Sequence, residues 1–419
     1  MAEKIKLGTN GNFGVKEGGT LAYNDENGVF KAIELASSRA STGTYVAESG
    51  LIADAEVGVP RIDWTNGVGE LLLEPQSTNL FTYSEDFSDA SWTKSGTTVT
   101  SNAILSPDGS VNADLIEISS AGARFVSQSV TLTSGQNYVL SCFMKNGNTG
   151  WNALGAFDGV SDFATGTFDI LNGNIGSTSV SSGSVNTELS IQDYGNGWYR
   201  CIMKFTATST GSWSIRVYAS VQSATNYSGV VGENAYIFGA QLEQLSYPTS
   251  YIRTEGSSVT RIADAVTGNS SLGQVINSSE GVLYAEMSAL ADDGTNRSIA
   301  ITDGTSNNRT TIQFSVSANR ISSGTIVGGV ANAILAQNSI DQTNTFKIAF
   351  KYKENDFALW VNGVEVKTDL SGSTYSANTL DKLSFDNGAG SEDFYGRIRE
   401  IKVYDTALTD AELTTLTTI

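Results

Sequence analysis

The stretch from Phe346 to Asn362 constrains the fold of this 419-residue chain more tightly than any other. Taking Glu354-Asn355 as a two-residue turn sets Tyr352 opposite Phe357, Phe350 opposite Leu359 and Ile348 opposite Val361. All six side chains are apolar and share one face, so one register satisfies the whole hairpin. The other face carries Lys347, Ala349, Lys351, Ala358, Trp360 and Asn362, with Trp360 beside Ala349 on the less apolar side. The same style runs through the chain. Short strands are expected at 125–132, 138–145, 198–206, 212–220 and 235–242, at the spacing of a β-sandwich. Asn146-Gly147, Asn172-Gly173 and Asn196-Gly197 read as turns, because both residue types tolerate positive φ. The 43 glycines against 4 prolines fit tight turns rather than polyproline linkers. One short helix is expected, at the C-terminus, where Thr409 and Glu412 have capping-box spacing. Heptads and solenoid repeats are absent from the sequence, so no long fibrous shaft is encoded.

Length predicts two or three domains. The formal charge of −19 and pI near 4.4 disfavour nucleic acid and anionic membrane as partners. The sequence contains no histidine, which removes Ser–His and Cys–His nucleophile pairs and imidazole metal ligands. The two cysteines, Cys142 and Cys201, each alternate onto an apolar strand face. They read as buried free thiols, with a disulfide between neighbouring strands as the alternative. The sequence Met1-Ala2-Glu3-Lys4-Ile5-Lys6 lacks an apolar signal core, and no run approaches the length of a membrane span.

The expected organisation is a strand-rich N-terminal attachment segment over 1–76, then two antiparallel sandwiches over 77–264 and 265–419. The first 30 residues, exemplified by Asn10-Gly11-Asn12-Phe13-Gly14-Val15, have the Gly/Asn-rich character of an arm. Residues 41–46, Pro60-Arg61-Ile62-Asp63, 69–80, Ser106-Pro107-Asp108-Gly109, Gly197-Trp198-Tyr199-Arg200, 239–243 and Thr249-Ser250-Tyr251-Ile252 occur in that order. Through them the chain from about Ser37 to Asp264 resembles a carbohydrate-binding-module-like family common in phage tail and virion proteins. From about Gly281 to Ile419 it resembles the concanavalin A-like, laminin-G-type jelly roll, through 346–350, 359–366 and 396–405. Together the resemblances imply an all-β fold of two jelly-roll sandwiches in tandem, and a sugar- or surface-binding role.

Sugar rings stack on exposed aromatic side chains, with Asp, Asn or Arg nearby for the hydroxyls. Trp151 with Asn152, Trp360 with Asn362, and Trp92 near Asp86 and Asp89 are the candidates, each weighed against ordinary packing. Trp198 and Trp213 read as scaffold. Calcium is the metal the resemblance implies, with Asp292, Asp293 and Asp386 as ligands; Asp-Gly and Asn-Gly also form turns without an ion. Glycosidases of the concanavalin A-like class place two Glu and an Asp along one strand, and no such run occurs; Glu392 and Asp393 are adjacent and would point to opposite faces. The expected function is therefore a non-enzymatic phage virion surface protein: a short fibre, appendage or decoration. It would be assembled in the host cytoplasm, joined to other virion proteins through its N-terminal segment, present as a homo-oligomer, and would bind host or environmental glycans weakly and multivalently. The alternative is a structural capsid decoration that binds no sugar.

Overall fold

A computed structural model describes residues 3–8, 13–16, 20–24, 30–122, 124–181, 186–221, 229–268, 270–316 and 319–419. The fold is all-β, and the chain forms two compact units. One unit gathers residues 1–42, 55–75 and 262–419; the other holds 43–54 and 76–261.

In the first unit, Val364–Asp369, Phe357–Val361, Phe346–Lys353, Glu280–Ala289, Gly396–Tyr404, Glu70–Leu73 and Arg61–Asp63 lie side by side. Glu3–Leu7 also pairs with Gly396–Tyr404. A nine-stranded sheet runs from Gly14–Lys16 through Phe30–Ser38 and Ala265–Gly268 to Val330–Asn338. The hairpin register is the one the sequence dictates: Ile348, Ala349, Phe350 and Lys351 pair with Val361, Trp360, Leu359 and Ala358. Asn355 takes the turn at φ +58°. Its apolar face joins a core that includes Leu71, Leu283, Ile299, Phe314, Phe350, Leu359 and Ile401.

The segment expected to stand apart over 1–76 is distributed. Ile5 and Leu7 are buried in the core of this first unit, and Leu71 and Leu73 join them. An amphipathic strand gains more by adding to a sheet than by staying solvated, which is why the N-terminal strand does not form a free arm. Asn10, Gly11 and Asn12 lie outside the described residues.

Besides the apolar core, charge pairs link these segments. Arg39, Arg61, Glu74 and Asp264 are all nearly fully buried. Arg39 Nη1 donates to Asp264 at 3.0 Å and Arg61 Nη1 to Glu74 at 2.6 Å, while Arg61 also pairs with Asp264. Burial alone would lower the Arg61 pKa, but Glu74 and Asp264 outweigh it and raise it. Nearby, Arg397 pairs with Asp63, and Arg399 Nε donates to Glu70 at 2.6 Å. The motif residues at 61–63, 70–74 and 264 are thus an ion network as well as apolar framework.

The second unit stacks two antiparallel six-stranded sheets. One runs Thr97–Leu105, Val111–Ile118, Asn234–Glu243, Asn137–Asn146, Trp198–Thr206, Thr187–Asp193; the other runs Thr93–Ser95, Phe125–Leu132, Gly211–Tyr218, Trp151–Phe157, Phe163–Asp169, Asn174–Val180. Between them lie Phe81, Trp92, Leu140, Met203, Trp213 and Ile237. Cys142 and Cys201 face each other across adjacent strands as buried free thiols. Asn196 and Gly197, at φ +52° and +78°, form the tight turn before Trp198–Thr206. The C-terminal helix, Asp410–Thr417, starts where its capping box predicts: Thr409 N donates to Glu412 Oε2 at 2.8 Å, and Glu412 N donates back to Thr409 Oγ1. Among the described residues no helix is long and apolar enough to cross a membrane.

Candidate functional site

The six-stranded sheet built on Trp151–Phe157 has one face in the core and one turned outward. Leu154, Ala156, Ala164 and Phe168 point inward, so alternation sends Trp151, Ala153, Gly155 and Phe157 outward. Pairing aligns the outward residues in rows. Ser127 faces Arg216, Arg216 faces Gly155, Gly155 faces Thr165, and Thr165 faces Ser179. On one side of that row lies Ser214–Phe157–Phe163, and on the other Phe125–Tyr218. A polar row is therefore flanked by aromatic rows.

Arg216 is the centre of this face. Phe125 and Phe157 occupy opposite diagonals from it, and its guanidinium carbon lies over both rings, at 4.4 and 4.7 Å. Such contacts are worth about 0.5–2 kcal/mol each and fix a flexible side chain in place. Arg216 Nε donates to Ser214 Oγ at 3.2 Å. Phe125 is braced in turn by Tyr218, edge-on at 5.4 Å between ring centres. Beside the clamp is a groove of about 380 Å³ lined by Phe157, Phe163, Thr165, Ser179, Arg216 and Tyr218. Gly155 keeps its floor low, since a Cβ there would come within 3.1 Å of the Tyr218 ring. Rings for stacking, two hydroxyls and a planar cation at one groove are the elements that saccharide recognition needs.

The carboxylates closest in sequence are engaged elsewhere. Asp158, next to Phe157, accepts from the backbone N–H groups of Val160, Ser161 and Asp162. Burial would raise its pKa, but those donors hold it below the usual carboxylate range. Asp162 accepts from Thr208.

The structure redistributes the candidates read from the sequence. Trp151 lies on this same outward face, half-buried against Ala153, Tyr218 and Val221. Asn152 points the other way; it is fully buried and its amide donates to the Tyr218 and Ala219 carbonyls at 3.0 Å, a scaffold role. Trp92 is buried between Phe81 and Phe87, with its indole N–H on the Tyr83 carbonyl at 2.7 Å. Trp360 is 6% exposed, packed with Tyr284, Leu408 and Leu413, because the C-terminal helix covers the less apolar face of its hairpin. Neither ring presents a face to a ligand. Asn362 is a turn residue at φ +49° whose side chain accepts from Lys347 N. Trp198 and Trp213 are buried, as scaffold residues should be.

The acidic turns do not assemble a calcium cage. Asp293 accepts from Thr295 N and from Arg297 Nη2 at 2.8 Å; Asp386 accepts from Ser384 Oγ and Gly388 N. Burial, then Asp341 and Asp293, raise the Asp292 pKa. Among the described residues, no three carboxylates, thiols or imidazoles converge as metal ligands. That donor set does not fit an ion that takes six to eight oxygens.

Sequence reasoning missed Arg216, Phe157 and Phe163. In sequence, Trp213-Ser214-Ile215-Arg216-Val217-Tyr218 is an ordinary alternating strand, and only pairing with its neighbours makes Arg216 the centre of anything.

Residues 284–414 match the family described as the concanavalin A-like lectin/glucanases superfamily, within the span where the jelly-roll resemblance was expected. Among solved structures, the chain is similar to the CBM40 of Ruminococcus gnavus IT-sialidase bound to α2,3-sialyllactose and to the same module bound to α2,6-sialyllactose. Each is 15% identical over 33% of this chain and 83% of that one, with a TM-score of 0.29. It is also similar to a native heptameric SAP-like pentraxin from Limulus polyphemus, at 14% identity over 33% of this chain and 70% of that one, with a TM-score of 0.27. No curated protein matches. At these levels the solved structures transfer no ligand to this chain.

Proposed function

We propose that this chain is a non-enzymatic phage virion surface protein, a short fibre, appendage or decoration, that binds glycans through the outward face around Arg216. The observation that carries the glycan reading is the groove flanked by Phe157 and Phe163 beside the clamped Arg216. The match of 284–414 to a lectin-containing superfamily supports the same class of role. The virion setting rests on the sequence resemblance over 37–264 and on composition. In this reading the protein assembles in the host cytoplasm, many copies decorate one particle, and weak sites gain strength by repetition. Attachment falls to a surface of the unit containing 1–42, because Ile5 and Leu7 are packed in its core.

The test is a glycan array probed with the full chain and with Phe157→Ala and Trp151→Ala. Binding that Phe157→Ala abolishes, with Trp151→Ala weaker in effect, is the expected result. No binding to any glycan, with retained incorporation into particles, would refute adhesion and favour a purely structural decoration.

A further inference from the structure

We infer that the groove is selective for saccharides bearing a carboxylate, with Arg216 as the group that reads the charge; this rests on the glycan reading of the same face. Three observations lead there. First, Arg216 has aromatic rings on opposite diagonals, which leaves the in-plane edge of the guanidinium as its route to strong hydrogen bonds. Its Nε is spent on Ser214. Among the described residues no carboxylate forms an ion pair with it, although the chain carries 44 acidic residues against 25 basic ones. Elsewhere Arg61 has Glu74 and Asp264, Arg253 has Glu85 and Arg297 has Asp293, whereas Arg200, which also lies over a ring, is held by Ser141 Oγ and the Thr249 carbonyl rather than by an acid.

Second, the nearby acids are turned to other work. Asp158 is wrapped by three backbone N–H groups and Asp162 by Thr208. A planar anion entering the groove would meet the guanidinium fork with no competing internal partner, and the two-point geometry suits a carboxylate. Third, the rest of the lining is chemistry for a sugar: Thr165 and Ser179 beyond Gly155 in the same row, and Phe157 and Phe163 in the row beside it. Hydroxyls and C–H faces require such partners; an acidic peptide side chain would leave them unused.

The experiment uses the full-length protein on an array in which each carboxylate-bearing saccharide is paired with its carboxyl-reduced, neutral counterpart, with poly-glutamate as a separate arm. The expected result is preference for the acidic member of a pair by roughly 10- to 100-fold. Arg216→Gln should erase the preference, Arg216→Lys should keep only part of it, and the preference should shrink as salt rises. Gly155→Ala, which raises the groove floor and leaves Arg216 intact, should weaken both members alike, and an unchanged thermal midpoint would show that each variant is folded. Equal binding of acidic and neutral members would overturn the inference and leave the glycan reading standing. Binding to poly-glutamate as tight as to any saccharide would overturn it in favour of a peptide ligand. No binding across all pairs would sink both.

Discussion

Replacing Asp264 by alanine tests the physical account of how distant segments of the chain are held in one unit. Asp264 accepts from Arg39 Nη1 at 3.0 Å, from Arg61, and from Glu74 N at 2.9 Å. With Arg39, Arg61 and Glu74 it forms a set of two cations and two anions, every side chain at most 3% exposed. Removing it leaves a net positive charge in a buried site. Arg39 keeps the carbonyls of Ser41, Val59, Ala55 and Glu56, so its hydrogen bonds are largely retained and the loss is chiefly electrostatic. Breaking a buried pair in this way costs about 3–5 kcal/mol. Urea titration of the full chain, followed by tryptophan fluorescence, should show that loss as a lower midpoint at similar slope. Asp264→Asn, which keeps an acceptor and loses the charge, should fall between. The exposed pair Lys204–Glu188, at 3.2 Å, serves as the comparison, since such pairs contribute about 0–1 kcal/mol. If Asp264→Ala costs no more than Lys204→Ala, the buried network contributes no more than an exposed pair and does not hold these segments.

Three further outcomes are expected. Asp114 is 1% exposed, and burial pushes its carboxyl up to about 6 despite N–H donors from Asn102 and Phe87. Because the folded value lies above the unfolded one, its contribution is full below about pH 4 and is lost as pH rises through 6, by roughly 1–3 kcal/mol; a carboxyl-carbon NMR titration with a midpoint below 4.5 would contradict this. Trp360→Ala should destabilise by about 3–5 kcal/mol through loss of the packing under the C-terminal helix, while saccharide binding by the folded fraction stays unchanged; a selective binding loss would revive Trp360 as a ligand platform. Cys142 and Cys201 are fully buried and burial raises both thiols, so native protein should resist a thiol reagent until it unfolds; labelling of the folded state within minutes would count against that packing.

Much of the fold was legible in particular residues. The hairpin at 346–362 could be registered because six apolar side chains agree on one face, and a one-residue slip would turn one strand's apolar set to the opposite face. The capping box at Thr409 was legible because both partners are three residues apart. The site was less legible. The sequence named Trp151 as a stacking candidate, and only the structure puts it on the face that carries the groove; Trp92 and Trp360 were not distinguishable from platforms, since what covers a ring comes from elsewhere in the chain. Trp360 is covered by a helix some fifty residues on, and Trp92 by Phe81 and Phe87.

By itself the sequence determined the class of fold, because period-2 alternation and tight glycine turns are local properties that any sheet must satisfy. It also determined the excluded chemistry, since an absent histidine is absent in every conformation. Tertiary structure decided which strands share a unit, bringing 3–7, 61–73 and 396–404 into one sheet, and which side chains meet. Arg39 and Asp264 are 225 residues apart and within hydrogen-bonding distance; Phe125, Phe157 and Arg216 come from three strands and form one clamp. Charge pairing and ring stacking act over a few ångströms of space, and only strand order and register set which distant residues fall within that reach.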